Sequence, residues 1–394
     1  MTFSTAGGAG KVAVMLAAAQ RTLGWDAEVF HVTSSNLHSD PFELPIHTLL
    51  AGIDNCIIRK PGFKSLISLS RDKKTVPLPE LLKSADVVHL HWINGVTRLS
   101  QIRQSAPSAR IVMTLHDMNP FTGTCHQSFG CTQFRDRCQE CPAVRAFARK
   151  AVESRLAQKT LEYKSDKDLV VVAPTEWVRN LAKTSSALGD QDIHVIPNPV
   201  GDEFLLPQPP AERELAAAEG TSEPRFCLIA NDLKDPLKNV EFAVQALSIV
   251  RESVPNATLR LIGQNGEAFE ASPGVIYLGQ QSGPSVRAEL NQAEALLIPS
   301  LGENAPMVVL EAASLGVPVI GKNIPSLESM LADLPTCATV ESVKDMARSM
   351  EALVLAKARG LGQSEKNSLR TLARESFSSR KVAAQYLTLY GKGS

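Results

Sequence analysis

The stretch ALLIPSLGENAPMVVLEAASLGVPVI, residues 295–320, decides the predicted fold of this chain. Ala295–Pro299 is a short apolar run, which predicts a buried parallel strand. A helix over Met307–Leu315 should follow and end at Gly316, because glycine readily adopts the left-handed conformation that stops helices. Val317–Ile320 predicts the next strand. The stretch is therefore interpreted as a strand–loop–helix–strand unit of an α/β sheet.

Two glutamates flank the start of this helix. Glu303 lies in the loop that leaves the carboxyl end of the predicted strand, and Glu311 follows eight residues later. Open α/β sheets bind ligands in the crevice at these strand ends. Free amides at the helix start would suit a phosphate, and the carboxylates could accept hydrogen bonds from sugar hydroxyls. The alternative is a pair of solvated glutamates without a role in binding.

Strand-like runs alternate with helical patterns along the whole chain, which predicts parallel sheets covered by helices in two doubly wound domains. The expected domains are residues 1–200, residues 201–378, and a C-terminal helix within 379–394 that packs back on the first domain. The polar, proline-rich segment Pro207–Pro224 is interpreted as a linker with a variable insertion. The predicted strands are Ala27–Val32, Asp86–His91, Arg110–Leu115, Leu169–Ala173, His194–Pro197, Phe226–Ala230, Thr258–Ile262, Val275–Leu278, Ala295–Pro299 and Val317–Ile320.

The bulk composition is that of a globular protein. A chain of 394 residues is too long for one ordinary core and predicts two domains. Lys and Arg (41) balance Asp and Glu (41), so charge gives no argument for a nucleic-acid partner. No apolar stretch has the roughly 18–20 residues of a membrane span, and the first residues lack a signal-peptide pattern. We therefore expect a cytoplasmic protein, compatible with peripheral association at the inner membrane surface.

Four of the seven cysteines crowd into one loop, residues 125–141. Four thiolates suit tetrahedral zinc, and the terminal Cys-x2-Cys is a common half-site. Free thiols or a disulfide remain the alternatives. A closed four-cysteine site would be structural, with no open position for catalysis. The candidate ligands are Cys125, Cys131, Cys138 and Cys141.

Three further elements carry candidate ligand-binding residues. Gly7 and Gly8 precede an apolar helix predicted over Val12–Leu23, where glycines let a backbone approach a phosphate. His116 follows a predicted strand and could donate to an oxyanion or a sugar hydroxyl. Lys238 lies in the loop after the first strand of the second domain and could reach a diphosphate. Each has an ordinary structural alternative, as a tight turn, a capping pair or a surface lysine.

Two other sets of residues are interpreted as structural. His89 and His91 alternate with apolar residues along a strand and are expected to pack in the core or at its rim. The basic helix predicted over Ala143–Lys164 is interpreted mainly as a solvated face. Contact of that face with an anionic membrane surface or a lipid-diphosphate acceptor is the alternative.

Taken together, the motifs resemble the family 4 retaining glycosyltransferases of the GT-B fold, two Rossmann-like domains that face each other across a cleft. The resemblance covers nearly the whole chain, and the motif His-Asp-x2-Pro-Phe-Thr-Gly with its cysteine cluster resembles a subgroup that builds bacterial exopolysaccharides, including colanic-acid-type enzymes. The matching residues are Gly7–Ala9, His116–Gly123, the hinge-like Ile196–Pro199, Lys238, Glu303, Glu311 and Gly316–Val319.

The resemblance implies a role for each matched position. Glu311 would hold the donor ribose hydroxyls, and Glu303 would lie near the transferred sugar. His116 would contact that sugar, or the departing phosphate, near the anomeric carbon. Lys238 would neutralise the donor diphosphate, assisted by the amides of Gly7 and Gly8. Asn304, Met307 and Val308, around the start of the helix after Pro306, would complete the donor site.

The implied activity is transfer of a sugar, with retention, from a nucleotide-sugar donor to a saccharide or lipid-linked saccharide acceptor. No cofactor is implied for catalysis. One departure is that residues 231–234 lack the arginine that family members usually place a few residues before the lysine. Lys234 would replace it only as a point charge. A zinc-stabilised, inactive sugar-nucleotide-binding protein and a GT-B epimerase are therefore the alternative functions.

Overall fold

The computed structural model of the protein describes residues 1–2, 5, 7–31, 54–69, 78, 80–94, 97–206 and 223–391. These residues form two compact units by contact, Met1–Pro197 with Val382–Ser394, and Asn198–Lys381. Most of the predicted linker, residues 207–222, lies outside the described residues, as does Val32 of the first predicted strand.

The first unit contains a sheet of four parallel strands, β1 (Val87–His91), β2 (Arg110–Thr114), β3 (Val170–Ala173) and β4 (Ile193–Val195), in that spatial order. The strands are rich in β-branched residues, and all four residues of β3 are buried, as expected for a parallel sheet covered on both faces. Its helices are α1 (Gly7–Thr22), α2 (Leu99–Ser105), α3 (Arg149–Ser165), α4 (Glu176–Lys183) and, from the end of the chain, α12 (Ser379–Tyr390).

One edge of this sheet differs from the prediction. Thr2 makes isolated parallel bridges to His31 and to His91, and the amide of His91 donates to the carbonyl of Met1 at 2.7 Å. Of the predicted strand Ala27–Val32, the described residues form only the bridge at His31. The strand prediction is wrong for Ala27–Phe30, because Trp25–Phe30 lacks the continuous apolar pattern and stays mostly exposed or half-buried.

The second unit contains six parallel strands in the order β10-β9-β8-β5-β6-β7. They are β5 (Arg225–Asp232), β6 (Thr258–Gln264), β7 (Val275–Tyr277), β8 (Ala295–Ile298), β9 (Val319–Lys322) and β10 (Ala338–Val340). Its helices are α5 (Asp202–Leu205), α6 (Val240–Ser253), α7 (Gly283–Gln292), α8 (Met307–Leu315), α9 (Pro325–Leu331), α10 (Val343–Ala358) and α11 (Gln363–Phe377). Strand β10 was not predicted, because three residues at a partly exposed edge give almost no periodic signal.

The strand order reverses between β5 and β8, because the chain proceeds from these two strands toward opposite edges of the sheet. This is the position where doubly wound sheets place ligands. Helix α8 has the predicted bounds, and Gly316 follows it with φ 76°. A Cβ at Gly316 would lie 2.6 Å from the carbonyl oxygen of Lys366, so glycine is required both by conformation and by space.

Among the described residues, no helix is long and apolar enough to cross a membrane. Both sheets instead lie in buried apolar cores, with Ile111 and Val171 fully buried in the first unit and Leu296 and Val319 in the second. The two units therefore have separate hydrophobic cores, and each fixes the loops at its own strand ends.

Candidate functional site

Lys238 and Glu303 meet at the β5–β8 reversal of the second unit. The Nζ atom of Lys238 donates to Oε1 of Glu303 at 2.6 Å. Both side chains are largely shielded, with 27% and 12% of their surfaces exposed. Shielding makes the ion pair stronger than one in open solvent, because less water competes for the charges. Lys238, predicted to bind the donor diphosphate, is therefore in direct contact with Glu303, predicted to be a catalytic residue near the transferred sugar.

Two further hydrogen bonds hold the loops that carry this pair. The amide of Leu301 donates to the carbonyl of Leu237 at 2.8 Å. The side chain of Asn239 donates to the carbonyl of Pro299 at 3.1 Å, from a residue in the left-handed conformation at φ 50°. Asparagine tolerates that conformation better than most residues. These two hydrogen bonds join the loop that carries Lys238 to the loop that carries Glu303.

The loop before α8 contains polar groups without hydrogen-bond partners among the described residues. The side-chain oxygen of Asn304 is buried and has no hydrogen-bond partner among the described residues. Asn198 donates to the carbonyl of Ala305 at 3.3 Å and so ties the hinge-like segment to this loop. Pro306 precedes the helix and supplies no side-chain cap. The first turn of α8 therefore presents amides that a phosphate could cap.

The remaining donor-site candidates of the second unit follow on α8 itself. Met307, Val308 and Glu311 are all half-buried, whereas Val309 and Leu310 are buried against the core. This difference in burial is the expected result of helical periodicity, because one face of the helix packs in the core. Lys234, the candidate substitute for the usual arginine, is exposed.

In the first unit, His116 lies just beyond β2 and bonds to a second histidine. Its Nε2 lies 2.9 Å from Nδ1 of His91, the last residue of β1. Burial lowers the pKa of His116 to about 4, and nearby Asp117 only partly offsets that effect. The imidazole is therefore neutral at physiological pH and can exchange hydrogen bonds without carrying charge.

Asp117 does not act together with its neighbour His116 but organises a separate cluster. Its carboxylate accepts hydrogen bonds from the Trp92 indole at 2.7 Å and from the Asn119 amide at 2.8 Å. It also pairs with Nδ1 of His126 at 2.6 Å, while Nε2 of His126 contacts the Ser68 hydroxyl at 2.8 Å. Although burial opposes ionisation, these donors lower the pKa of Asp117.

Gly7 and Gly8 lie at the start of α1, and both are exposed. Gly7 has φ 78°, a conformation that favours glycine. The helix begins five residues before the predicted Val12, because the glycines are its first turn and not a loop before it. A ligand could approach these amides closely, since nothing lies within 4 Å of a Cβ built at either glycine.

The four loop cysteines are free thiols that lie near one another. Cys125, Cys138 and Cys141 are buried, and Cys131 is half-buried. In their present positions, neither they nor any other His, Cys, Asp or Glu side chains of the described residues form a group of three that could hold a metal ion. Zinc binding therefore stays a prediction.

Lys159 corrects the interpretation of the basic helix as a solvated face. Its side chain is buried and donates to the carbonyls of Asn119 at 2.5 Å and Thr122 at 2.9 Å. Burial lowers the pKa of this amine to about 7. The lysine thus fixes the loop that follows His116 and Asp117.

Sequence reasoning missed the roles of Lys159 and His91, although each left a signal. Lys159 continues the buried stripe of α3, which also contains Val152, Leu156 and Tyr163. A lysine at that spacing indicates a buried, hydrogen-bonded amine. His91 ends the strand next to the one that precedes His116, and parallel neighbours end at the same sheet edge.

Two parallel-sheet α/β units with polar clusters at their strand ends define the GT-B class of glycosyltransferase fold. The chain belongs to Glycosyltransferase Family 4, whose model matches residues 6–204. Residues 223–355 match a second model, described as Glycosyl transferases group 1.

A curated glycosyl transferase is similar in sequence to this chain. The colanic acid biosynthesis glycosyl transferase WcaC of Escherichia coli (strain K12) is 24% identical over 255 residues, covering 62% of this chain and 60% of that protein. The chain thus spans less than two thirds of the length of this curated relative.

Two solved structures show the fold at low identity. A glycosyltransferase from Rickettsia africae ESF-5 is 14% identical, with a TM-score of 0.64 over 100% of this chain and 98% of that chain. Anabaena Alr3699/HepE, solved in complex with UDP and glucose, is 13% identical, with a TM-score of 0.61 over 98% of this chain and 96% of that chain.

Replacing Lys159 by Met should destabilise the protein by about 1–3 kcal/mol, because the carbonyls of Asn119 and Thr122 lose a buried donor. Urea unfolding at pH 7 measures this change in the free energy of unfolding. Lys150→Met, an exposed position on the same helix, is the control and should change stability by less than about 0.5 kcal/mol. Equal stability of the two variants would contradict the assigned role of Lys159.

Proposed function

We propose that the protein transfers a sugar, with retention of anomeric configuration, from a nucleotide-sugar donor to a hydroxyl of an acceptor saccharide. The observation that carries this proposal is the shielded Lys238–Glu303 pair at the strand-order reversal of a family 4 chain. An ammonium at this position suits a donor diphosphate, and an adjacent carboxylate suits a sugar that develops positive charge.

Donor binding would exchange one anionic partner of Lys238 for another. The diphosphate would compete with Glu303 for Nζ, which now lies 2.6 Å from the carboxylate. The first-turn amides of α8, at Met307 and Val308, would share the phosphate charge. A departing diphosphate stabilised in this way leaves more readily, because its growing negative charge meets donors already in place.

The other candidates would hold the rest of the donor. Glu311 would accept hydrogen bonds from the ribose hydroxyls, and the unpartnered oxygen of Asn304 would accept another from the ligand. Glu303, released from Lys238, would face the transferred sugar. His116, held neutral by burial, would contact the same sugar, and Gly7 and Gly8 would offer amides to the donor phosphates.

Relatives support the choice of substrates and setting. HepE was solved with UDP and glucose, and WcaC is assigned to colanic acid biosynthesis. We therefore assign this chain to bacterial polysaccharide or glycoconjugate assembly, with a saccharide or lipid-linked saccharide acceptor at the cytoplasmic side of the inner membrane. No cofactor takes part in the proposed reaction.

One observation favours a second function, binding of a sugar nucleotide without turnover. Residues 231–238 contain no arginine, and Lys234 is exposed. With a single shielded lysine, the chain could bind a sugar nucleotide without turning it over. An epimerase would instead convert the donor with no acceptor present. A donor assay separates the three functions.

We expect the purified protein to release nucleotide diphosphate from one nucleotide-sugar only when a matching acceptor is added. Lys238→Ala should lower this rate by at least about 10-fold, because the leaving diphosphate loses its counter-charge. A coupled assay for nucleotide diphosphate, run over a panel of donors and acceptors, measures the rate.

Lys344→Ala is the matched control, since it removes an exposed lysine of the same compact unit that is not among the candidate donor-site residues. It should keep most of the activity. If the donor binds in calorimetry but no acceptor leads to release of nucleotide diphosphate, the inactive binding protein is favoured. Conversion of the donor without any acceptor would favour the epimerase.

We also propose that the cysteine loop binds one structural zinc ion. The amides of Ala143 and Val144 hydrogen-bond to the sulfur of Cys141, and the amide of Gln133 bonds to that of Cys131. Such N–H···S bonds stabilise thiolate ligands, as outer partners do in metal sites. The sulfur atoms would have to draw together on binding, because none of the present groupings suits a metal.

Metal analysis of the purified protein should find about one zinc per chain, the number that four thiolates hold. Cys138→Ser should lose the metal and lower the melting temperature. Cys56→Ser, at an exposed position outside the loop, should keep both unchanged. Metal-free protein with the same melting temperature before and after chelation would contradict the zinc site.

A further inference from the structure

A buried network of hydrogen bonds includes His89, whose ring contacts His91, the histidine that bonds to His116. The side-chain amide of Gln20 donates to the Tyr390 hydroxyl at 3.1 Å, and that hydroxyl lies 2.6 Å from Nδ1 of His89. Nε2 of His89 lies 2.8 Å from the Thr114 hydroxyl, which in turn lies 2.9 Å from the Tyr386 hydroxyl. Helix α12 thus contributes two tyrosines to this network.

Both ring nitrogens of His89 have hydroxyl partners within this network. Nδ1 bonds to the Tyr390 hydroxyl, and Nε2 bonds to the Thr114 hydroxyl. Both nitrogens of His89 are therefore occupied.

His91 consequently meets His89 only through its ring face. The two ring centroids are 4.0 Å apart, so the rings are in van der Waals contact. The Nδ1 atom of His91 is left to bond to Nε2 of His116 at 2.9 Å. Among the described residues, this is the only hydrogen bond to a ring nitrogen of His91 or His116.

The bond leaves one ring nitrogen of His116, Nδ1, without a hydrogen-bond partner among the described residues. Its Nε2 is occupied by His91, while its ring remains half-buried and not fully enclosed. The free ring nitrogen is Nδ1. A ligand that hydrogen-bonds to His116 therefore meets Nδ1, whichever of the two histidines donates the shared proton.

We propose that His91 is a positioning residue that holds the His116 ring so that Nδ1, and not Nε2, contacts the bound sugar. The assignment rests on the proposed sugar transfer, and it adds the atom that makes the contact and the residue that directs it. Without His91, rotation of the His116 ring by a half turn would exchange the nitrogen with a carbon at the ligand.

Two changes at position 91 separate hydrogen bonding from packing. His91→Phe keeps an aromatic ring against His89 but has no nitrogen. His91→Asn loses the ring but keeps a polar atom near the position of Nδ1. We expect His91→Phe to lower kcat by about 10-fold or more, the usual effect of removing an orienting partner. His91→Asn should recover most of that loss, whereas equal or reversed losses would overturn the proposal.

Two changes at position 116 test which nitrogen faces the ligand. Asparagine places its polar atoms near the position of Nδ1, and glutamine places them near the position of Nε2. We expect His116→Asn to keep at least about 3-fold more transfer activity than His116→Gln. A more active His116→Gln would show that Nε2 faces the sugar and would overturn the assignment.

Nitrogen-15 NMR of histidine-labelled protein supplies a readout that does not depend on turnover. The wild-type spectrum should show His116 as a single neutral tautomer, and His91→Phe should change its ring nitrogen shifts. An unchanged spectrum would contradict the positioning role. If the spectrum changes but wild-type protein transfers no sugar, the proposed function fails while the His91–His116 bond stands.

Calorimetry with nucleoside diphosphate alone shows whether the variants keep the donor site. Lys238, Met307 and Val308, which are proposed to bind the diphosphate, belong to the compact unit that does not contain His91. We expect the His91 variants to bind nucleoside diphosphate within about 2-fold of wild type, since none of the residues proposed to bind the diphosphate is changed. A parallel loss of binding would mean general damage to the protein and would overturn the specific role of His91.

Discussion

The second unit depends on one electrostatic constraint, the pairing of Lys238 with Glu303 at the reversal of strand order. A shielded ammonium or carboxylate left alone at a strand end would lose much of its hydration without compensation. Each therefore stabilises the other in the absence of donor. The pair also supplies both charges that the proposed reaction needs. Lys238 would bind the diphosphate, and Glu303 would face the oxocarbenium-like sugar.

The first unit follows a different principle, because its strand-end groups are mostly neutral. Burial lowers the pKa of His89, His91 and His116, so these rings exchange hydrogen bonds rather than charge. Nitrogens of His89 hydrogen-bond to Thr114 on β2 and to Tyr390 on α12, and His91 and His116 bond to each other. A neutral, oriented imidazole suits recognition of sugar hydroxyls, whereas the charged pair of the second unit suits phosphate.

Local patterns were enough to predict most of the fold. The apolar run Ala295–Pro299 predicted a strand, and the left-handed conformation open to Gly316 predicted the end of a helix. Both elements are present with nearly the predicted bounds. Strand β10 was not predicted, and Ala27–Phe30 was wrongly predicted as strand, because short edge segments are defined by their neighbours and not by their own sequence. The same limit applies to the bridge between Thr2 and His91.

The candidate site was predictable in residue type but not in partnership. Lys238 and Glu303 were each singled out, yet 65 residues separate them, and only the β5–β8 adjacency brings them to 2.6 Å. Lys159 was assigned to solvent because its charge outweighed its position in the buried stripe of α3. Pairings of this kind depend on sheet order and on which helix face is covered, which a single sequence specifies only through the completed fold.

The central claim is that the chain moves a sugar from a nucleotide to an acceptor with retention. Proton NMR of the reaction, started with a donor of known anomeric configuration, observes the new glycosidic bond directly. The account predicts a product whose anomeric coupling constant matches the configuration of the donor, formed at the same rate as nucleotide diphosphate. A product of opposite configuration, or bound donor that never reacts in the presence of acceptor, would contradict it.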